Sequence, residues 1–225
     1  MMLMAIGECL FLVLESFQSD SMIQVTLSIG AGELVYMFGI MLVNILIIYG
    51  DDLSAKNMQV AIGIGIERHE IVIGKWIDMA LMVVLDVTFL SVIQFGTVAA
   101  MGKLAGGFTV ELAVIQQITT AVQIIMAVTL AMIIIFQTQK AILGVLAYIY
   151  LVLDITGTLI ELGIQNRIVQ RFQLWNISSA SQSTIFMNKL AIGEFDIRNF
   201  VMILVYLAIG IGGTSYLFRK KEIEL

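Results

Sequence analysis

The chain contains no proline. Proline inside a helix removes a backbone donor and kinks the chain, so helices here can run long and unbroken. The broken-helix sites of many secondary transporters also lose one of their usual markers. With 19 glycines present, which can interrupt helices too, this argues only mildly against such a site. Cysteine and histidine occur once each, as Cys9 and His69. A single cysteine excludes an intrachain disulfide, and one of each cannot build a Cys/His zinc centre. Any Ser-His-Asp or Cys-His mechanism would rest on His69 alone, and no helical His-Glu-x-x-His is present. Nor is there a Gly-x-x-x-x-Gly-Lys-Ser/Thr loop to cradle nucleotide phosphates. Charge is scarce, at 13% of residues, and the net charge is −5. Phosphate backbones need a concentrated basic face, so a nucleic-acid partner is not expected.

What the chain has is apolar surface. Of 225 residues 60% are hydrophobic, and the mean hydropathy is +1.00. Soluble domains run nearer one half apolar and about a quarter charged. Both deviations point to lipid as the solvent, and the length fits one bundle. The expected class is therefore an all-α integral membrane protein with five to six transmembrane helices, residues 1–225 forming one transmembrane domain.

Crossing the hydrocarbon takes roughly 20 mostly apolar residues. Residues 32–50, 71–100, 112–136, 141–160 and 200–218 meet that requirement. Residues 1–14 are apolar except for Glu8. At about 1.5 Å per residue they fall short of the roughly 30 Å core, and read as a shortened first span or its remnant. If residues 51–70 are cytoplasmic, then Lys56, Arg68, Lys75, Lys140, Arg219, Lys220 and Lys221 lie inside. Lys103, Arg167, Arg171, Lys189 and Arg198 then lie outside, a bias of seven to five in the expected sense. In the loop 161–198, Ile164, Ile168, Phe172 and Trp175 share one helical side, with Arg167 and Arg171 on another. That pattern reads as an amphipathic helix on the outer membrane face.

The most informative stretch is the polar insert from Asp51 to Asp78. Gly63 and Gly65 suggest a turn, followed by a helix that opens near Glu67 and leads into the next span. On composition alone an ordinary solvated loop is the simpler reading. A short helix–turn–helix at the inner surface is the alternative, and it would offer polar groups to a cytoplasmic partner. Lys75 and Trp76 are simply explained as interface anchors, since lysine snorkels and tryptophan favours the headgroup level.

The insert resembles the cytoplasmic loop of type-2 ABC exporter permeases. Asp51 and Asp52 stand at that family's acidic position, Gly65-Ile66-Glu67-Arg68 at its Gly-x-Ser/Thr-Arg turn, and Gly74-Lys75 at the start of the following span. Glu67 replaces the usual hydroxyl residue but can still accept backbone N–H bonds. The basic ending Phe218-Arg219-Lys220-Lys221-Glu222-Ile223 and the order of spans are similar too, so the resemblance runs from about Gly32 to the end. It implies a permease subunit of an ATP-driven exporter in a bacterial plasma membrane. ATP and magnesium would bind a separate ABC ATPase subunit, this chain would carry no cofactor and catalyse nothing, and a second permease chain would complete a dimer. Asp51, Asp52, Lys56, Gly65, Glu67, Arg68, Glu70 and Lys75 would then form the coupling segment, with Arg68 meeting an acidic group of the ATPase or holding the loop to Asp51 or Asp52. Alternative readings are a non-transporting membrane anchor or accessory subunit of such a complex, and a secondary transporter.

Polar residues within spans are costly to bury and mark a second region of interest. Asn44, Asp86, Gln94 and Asp154 lie in three spans, Asp86 and Gln94 sharing one, and Gln116, Thr120 and Gln123 form a stripe at i, i+4, i+7 in another. They read as a polar substrate path or as interhelical hydrogen bonds that hold the bundle. Gly39, Gly144, Gly210, Gly212 and Gly213 are expected at close helix contacts.

Overall fold

The computed structural model describes residues 39–50, 57–100, 107–153, 155, 189 and 194–220. Among these, every regular element is a helix. We name them α1 (Gly39–Gly50), α2 (Asn57–Gly63), α3 (Arg68–Ala100), α4 (Gly107–Thr138), α5 (Ala141–Val152) and α6 (Ile197–Lys220). The last turn of α1 widens into a π-helix over Leu46–Gly50. Three stretches are long and apolar enough to cross a membrane: Arg68–Ile93, Gln117–Thr138 and Ile197–Lys220. The helices α1 and α5 are apolar but shorter. Their expected spans, 32–50 and 141–160, extend beyond the described residues, as do residues 1–14, Asp154 and most of the loop 161–198.

Three helices, α3, α4 and α6, begin earlier than their apolar runs, and at α3 and α6 a carboxylate caps the start. α3 starts at Arg68, next to the opening expected near Glu67 and ahead of its apolar run: Glu70 accepts the Glu67 backbone N–H at 3.2 Å, which closes one arm of a capping box. α6 starts at Ile197 because Asp196 Oδ1 accepts the N–H groups of Arg198 and Asn199, at 3.0 and 3.3 Å. Its Oδ2 takes the Asn199 amide at 3.0 Å and the Lys189 ammonium. Such a cap satisfies donors that the helix itself leaves unbonded.

The described helices fall into two compact units, one with residues 39–42 and 82–121, the other with 43–81 and 122–220. In the second unit α4 is the hub. Its buried face carries Ile124, Ala127, Val128, Ala131 and Ile135, the three-to-four-residue spacing of a helix stripe. Met126 packs with Ile203, Tyr206 and Leu207 of α6. Thr129 ties three helices: its hydroxyl accepts the Trp76 indole N–H at 2.8 Å and donates to the Ile125 carbonyl at 2.6 Å. A Cβ placed on Gly210 would fall 2.9 Å from the Thr129 carbonyl oxygen, so α6 meets α4 backbone to backbone. A Cβ on Gly144 would enter the Ile135 side chain, so α5 lies equally close to α4. Small residues permit such approaches between apolar helices. Gly212, by contrast, faces open space, and Gly213 has only an ordinary contact with Ile133, so neither is the close-packing position its sequence context suggested.

The α4–α5 connection is two residues long, as suits antiparallel neighbours. Gln139 adopts a left-handed φ of 55°, and its N–H reaches the Ile135 carbonyl at 2.7 Å. Lys140 is extended and opens α5.

In the first unit Val83, Asp86 and Leu90 form the buried stripe of α3. Ser91 donates to Gln117 of α4, and Gln117 and Thr120 are both buried.

Candidate functional site

The polar insert folds as helix, turn, helix. α2 is held down by Met58, which is buried, while Val60 and Ile64 are 61% and 75% exposed. The helix ends in a Schellman motif: the Ile66 N–H bonds the Ala61 carbonyl at 3.0 Å and the Gly65 N–H bonds the Ile62 carbonyl at 3.0 Å. This geometry puts Gly65 at φ 95°, where a side chain is strained. Two residues after Gly65, Glu67 takes the N-cap position of α3. Its carboxylate does not cap; it meets His69 Nδ1 at 3.0 Å, and the capping bond comes from Glu70. The hinge between the helices is thus bonded on both sides of Ile66.

Arg68 carries the link from this turn to the rest of the second unit. Its Nη1 donates to the carbonyls of Phe218 and Arg219, at 2.9 and 3.1 Å, and its guanidinium lies 5.6 Å from the centre of the Phe218 ring. A cation in the first turn of α3 is poorly placed for its own helix dipole. Against the last carbonyls of α6 it faces the negative end of another helix, where a cation is favoured. Seven residues on, and so on the same face of α3, Lys75 reaches the Ile48 carbonyl in the π-turn of α1 at 3.5 Å. An edge-to-face row of buried rings runs through the same region. Tyr49 and Phe136 lie 6.0 Å apart at 82°, and Phe136 and Phe218 lie 5.0 Å apart at 68°. The ends of α1, α4 and α6 and the start of α3 are therefore joined at one end of this unit.

Beside this tie lies an open cleft of about 630 Å³, lined by Ile62, Gly65, Ile66, Glu67, Arg68, His69, Ser215, Tyr216 and Arg219. The Lys220 ammonium sits 4.4 Å from the centre of the Tyr216 ring at its edge. Cations outnumber carboxylates here, and the apolar walls are isoleucine and tyrosine.

No family model, curated protein or solved structure matches this chain. What its residues can do is read from their geometry alone.

Of the coupling set, Gly65, Glu67, Arg68, Glu70 and Lys75 are placed as described above, whereas Asp51, Asp52 and Lys56 lie outside the described residues. Of the intramembrane set, Asn44, Asp86 and Thr120 are buried and Gln123 is half-buried. The side chains of Gln94 and Gln116, and all of Asp154, lie outside the described residues. Asp86 and Thr120 belong to the first unit, Asn44 and Gln123 to the second. Three contributors went unrecognised in the sequence. Gln117 is 3% exposed and pairs with Ser91. It lies at i, i+3 with Thr120, a spacing that could have flagged it. Thr129 could have been flagged only as a lone hydroxyl in an apolar run. Trp76, expected at the headgroup level, spends its N–H on Thr129, and nothing local signals that.

Proposed function

We propose that this chain is the membrane-spanning permease subunit of an ATP-driven ABC exporter, acting with a separate ATPase subunit. α2 and its turn serve as the segment on which the ATPase pushes. The observation that carries this reading is the pairing of an exposed apolar edge, Val60 and Ile64, with a bonded hinge whose Arg68 grips the end of α6. A force on α2 would reach α3 through the Schellman turn and α6 through Arg68, with no flexible joint between. On this reading the chain forms a bundle of five to six spans in the plasma membrane of a bacterium, with residues 51–70 cytoplasmic. ATP and magnesium reside on the partner, and a second permease chain completes the pathway.

The test replaces an exposed contact and spares the internal bonds. Ile64→Glu should abolish copurification with an ABC ATPase subunit and ATP-driven export from vesicles, while the thermal unfolding midpoint stays put. Normal association and export in that variant would sink the proposal.

One observation favours a second reading. Arg68 and Lys75 are both engaged with backbone carbonyls inside the unit, which suits a structural turn in a non-transporting anchor or accessory subunit. ATPase association without ATP-driven export would select it.

A further inference from the structure

We propose that the cleft between the α2–α3 turn and the end of α6 binds the headgroup of an anionic phospholipid. The inference needs only that the long apolar helices cross a bilayer, and not that the chain transports anything. The two candidate spans that border the cleft, Arg68–Ile93 and Ile197–Lys220, both terminate at it, one by its first residue and one by Arg219, the residue before its last. A site at the ends of spans lies at headgroup depth, where phosphate is the abundant anion.

The lining suits that chemistry. Arg219 is exposed and lines the cleft, with Ser215 beside it as a hydroxyl donor. Lys220 is held over the Tyr216 ring, which limits its freedom and keeps its charge at the rim. Guanidinium and ammonium groups form the strong, charge-assisted bonds that phosphate accepts. Glu67 is the one carboxylate of the lining, and it is engaged by His69 Nδ1 at 3.0 Å. Ile62 and Ile66 give the apolar surface that a glycerol backbone and upper acyl chain would cover. At about 630 Å³ the cleft has the size of a small-molecule site rather than of a protein groove. Arg68 contributes field but is not needed as a ligand, since it already serves the α6 carbonyls.

The test uses the full chain purified in mild detergent, titrated with phosphatidylglycerol or phosphatidylcholine and read by native mass spectrometry. Phosphatidylglycerol should be retained in preference to phosphatidylcholine. Its apparent affinity should fall about fivefold for Arg219→Gln or Lys220→Gln alone and roughly thirtyfold for the pair. Arg198→Gln removes an exposed cation from the opposite end of α6 and should leave retention unchanged. Soluble glycerol phosphate at millimolar concentration should not compete, which marks the source as lipid. Equal retention of both lipids, or undiminished binding in the double variant, would overturn the proposal. So would an equal loss with Arg198→Gln, which would mean that only net charge matters, or competition by glycerol phosphate, which would mean a site for free phosphate. Because no ATPase is present, failure here leaves the exporter reading untouched.

Discussion

Arg68 donates to the carbonyl of Phe218 at 2.9 Å while its guanidinium stands 5.6 Å from the centre of the same residue's ring. One side chain thereby closes the C-terminal end of α6 and covers its last aromatic. Two helix ends 150 residues apart in sequence depend on it. Removing it should loosen both the turn and the end of α6. Hydrogen bonds to charged groups are worth roughly 1.5–3 kcal/mol, and partial exposure trims that, so Arg68→Ala should cost about 1–2 kcal/mol. Arg68→Lys keeps the charge but loses the planar fork, and should fall between the two. Unfolding midpoints in detergent give the ranking, and amide exchange near Phe218 should rise in Arg68→Ala. An unchanged midpoint would mean the bond contributes nothing.

Gly65 offers a cleaner test of the hinge. A Cβ there would meet no atom within 4 Å, so only the φ of 95° resists substitution. The left-handed region costs an ordinary residue about 1–2 kcal/mol, with asparagine tolerated best. The expected order of stability is Gly65, then Asn, then Ala, then Val, measured by thermal unfolding. Equal stability of Ala and Gly would show that the turn relaxes freely, and would remove the stiffness on which force transmission rests.

These two residues mark what could be read from sequence and what could not. The turn was legible because it is local: Gly65 and Glu70 act within a few residues of their partners, so the motif implies its own bonds. The partner of Arg68 was not legible, because the acceptors are backbone carbonyls, which every residue has, and they lie far along the chain. The same holds for Trp76 and Thr129. The polar stripe of α4 shows a different limit. Neighbouring residues on a helix point about 100° apart, so a pattern shared by Gln116 and Gln117 does not decide which one faces inward. Helix extents were legible to a few residues. The start of α3 fell next to the opening read near Glu67, and that of α6 is advanced by the cap at Asp196, which hydropathy does not weigh. α4 opens at Gly107, ahead of the apolar run that begins at residue 112.

Gly144, Gly210 and Gly212 should behave differently although all three sit in apolar helices. Alanine at Gly144 must displace Ile135, and at Gly210 it must push the α4 backbone, so each should cost about 1–3 kcal/mol. Alanine at Gly212 meets nothing and should be neutral, or stabilising by up to about 1 kcal/mol through helix propensity. Thermal midpoints of the three variants decide this. Loss of stability at Gly212 would instead reveal a neighbour packed there, such as a second chain.

Asp196 predicts a pH dependence. The hydrogen bond from Lys189 above all, with the backbone donors Asn199 and Arg198 and the Lys189 charge, holds its carboxyl below the ordinary value of 3.8. A carboxyl whose folded pKa is depressed contributes stability that is complete above the unfolded value and is lost as pH falls through the folded one. The first turn of α6 should therefore stay ordered at neutral and mildly acidic pH and fray only below 3.8. Amide exchange at Arg198 and Asn199 would report it. Lys189→Gln removes the largest of these influences and should move the fraying upward in pH. Asp196→Ala should remove the pH dependence and leave the first turn of α6 frayed at neutral pH. A transition unmoved by Lys189→Gln would assign the cap to the backbone donors alone.

Gln139 is a position where relieving backbone strain should improve the protein. Among the described residues it alone, apart from glycine, has a positive φ, at 55°. Its backbone holds the two-residue link between α4 and α5, through an N–H bond to the Ile135 carbonyl. The left-handed conformation is strained for glutamine and free for glycine, whereas the unfolded chain gains entropy with glycine. The strain is the larger of the two, so Gln139→Gly should stabilise by roughly 0.5–1 kcal/mol. Gln139→Asn should give part of that gain, and Gln139→Val should lose more than it. The same link also fixes Ile135 against Gly144, so the gain in Gln139→Gly should vanish in a Gly144→Ala background where α5 has already been displaced. Additive effects in the double variant would show that the turn and the close contact are energetically independent.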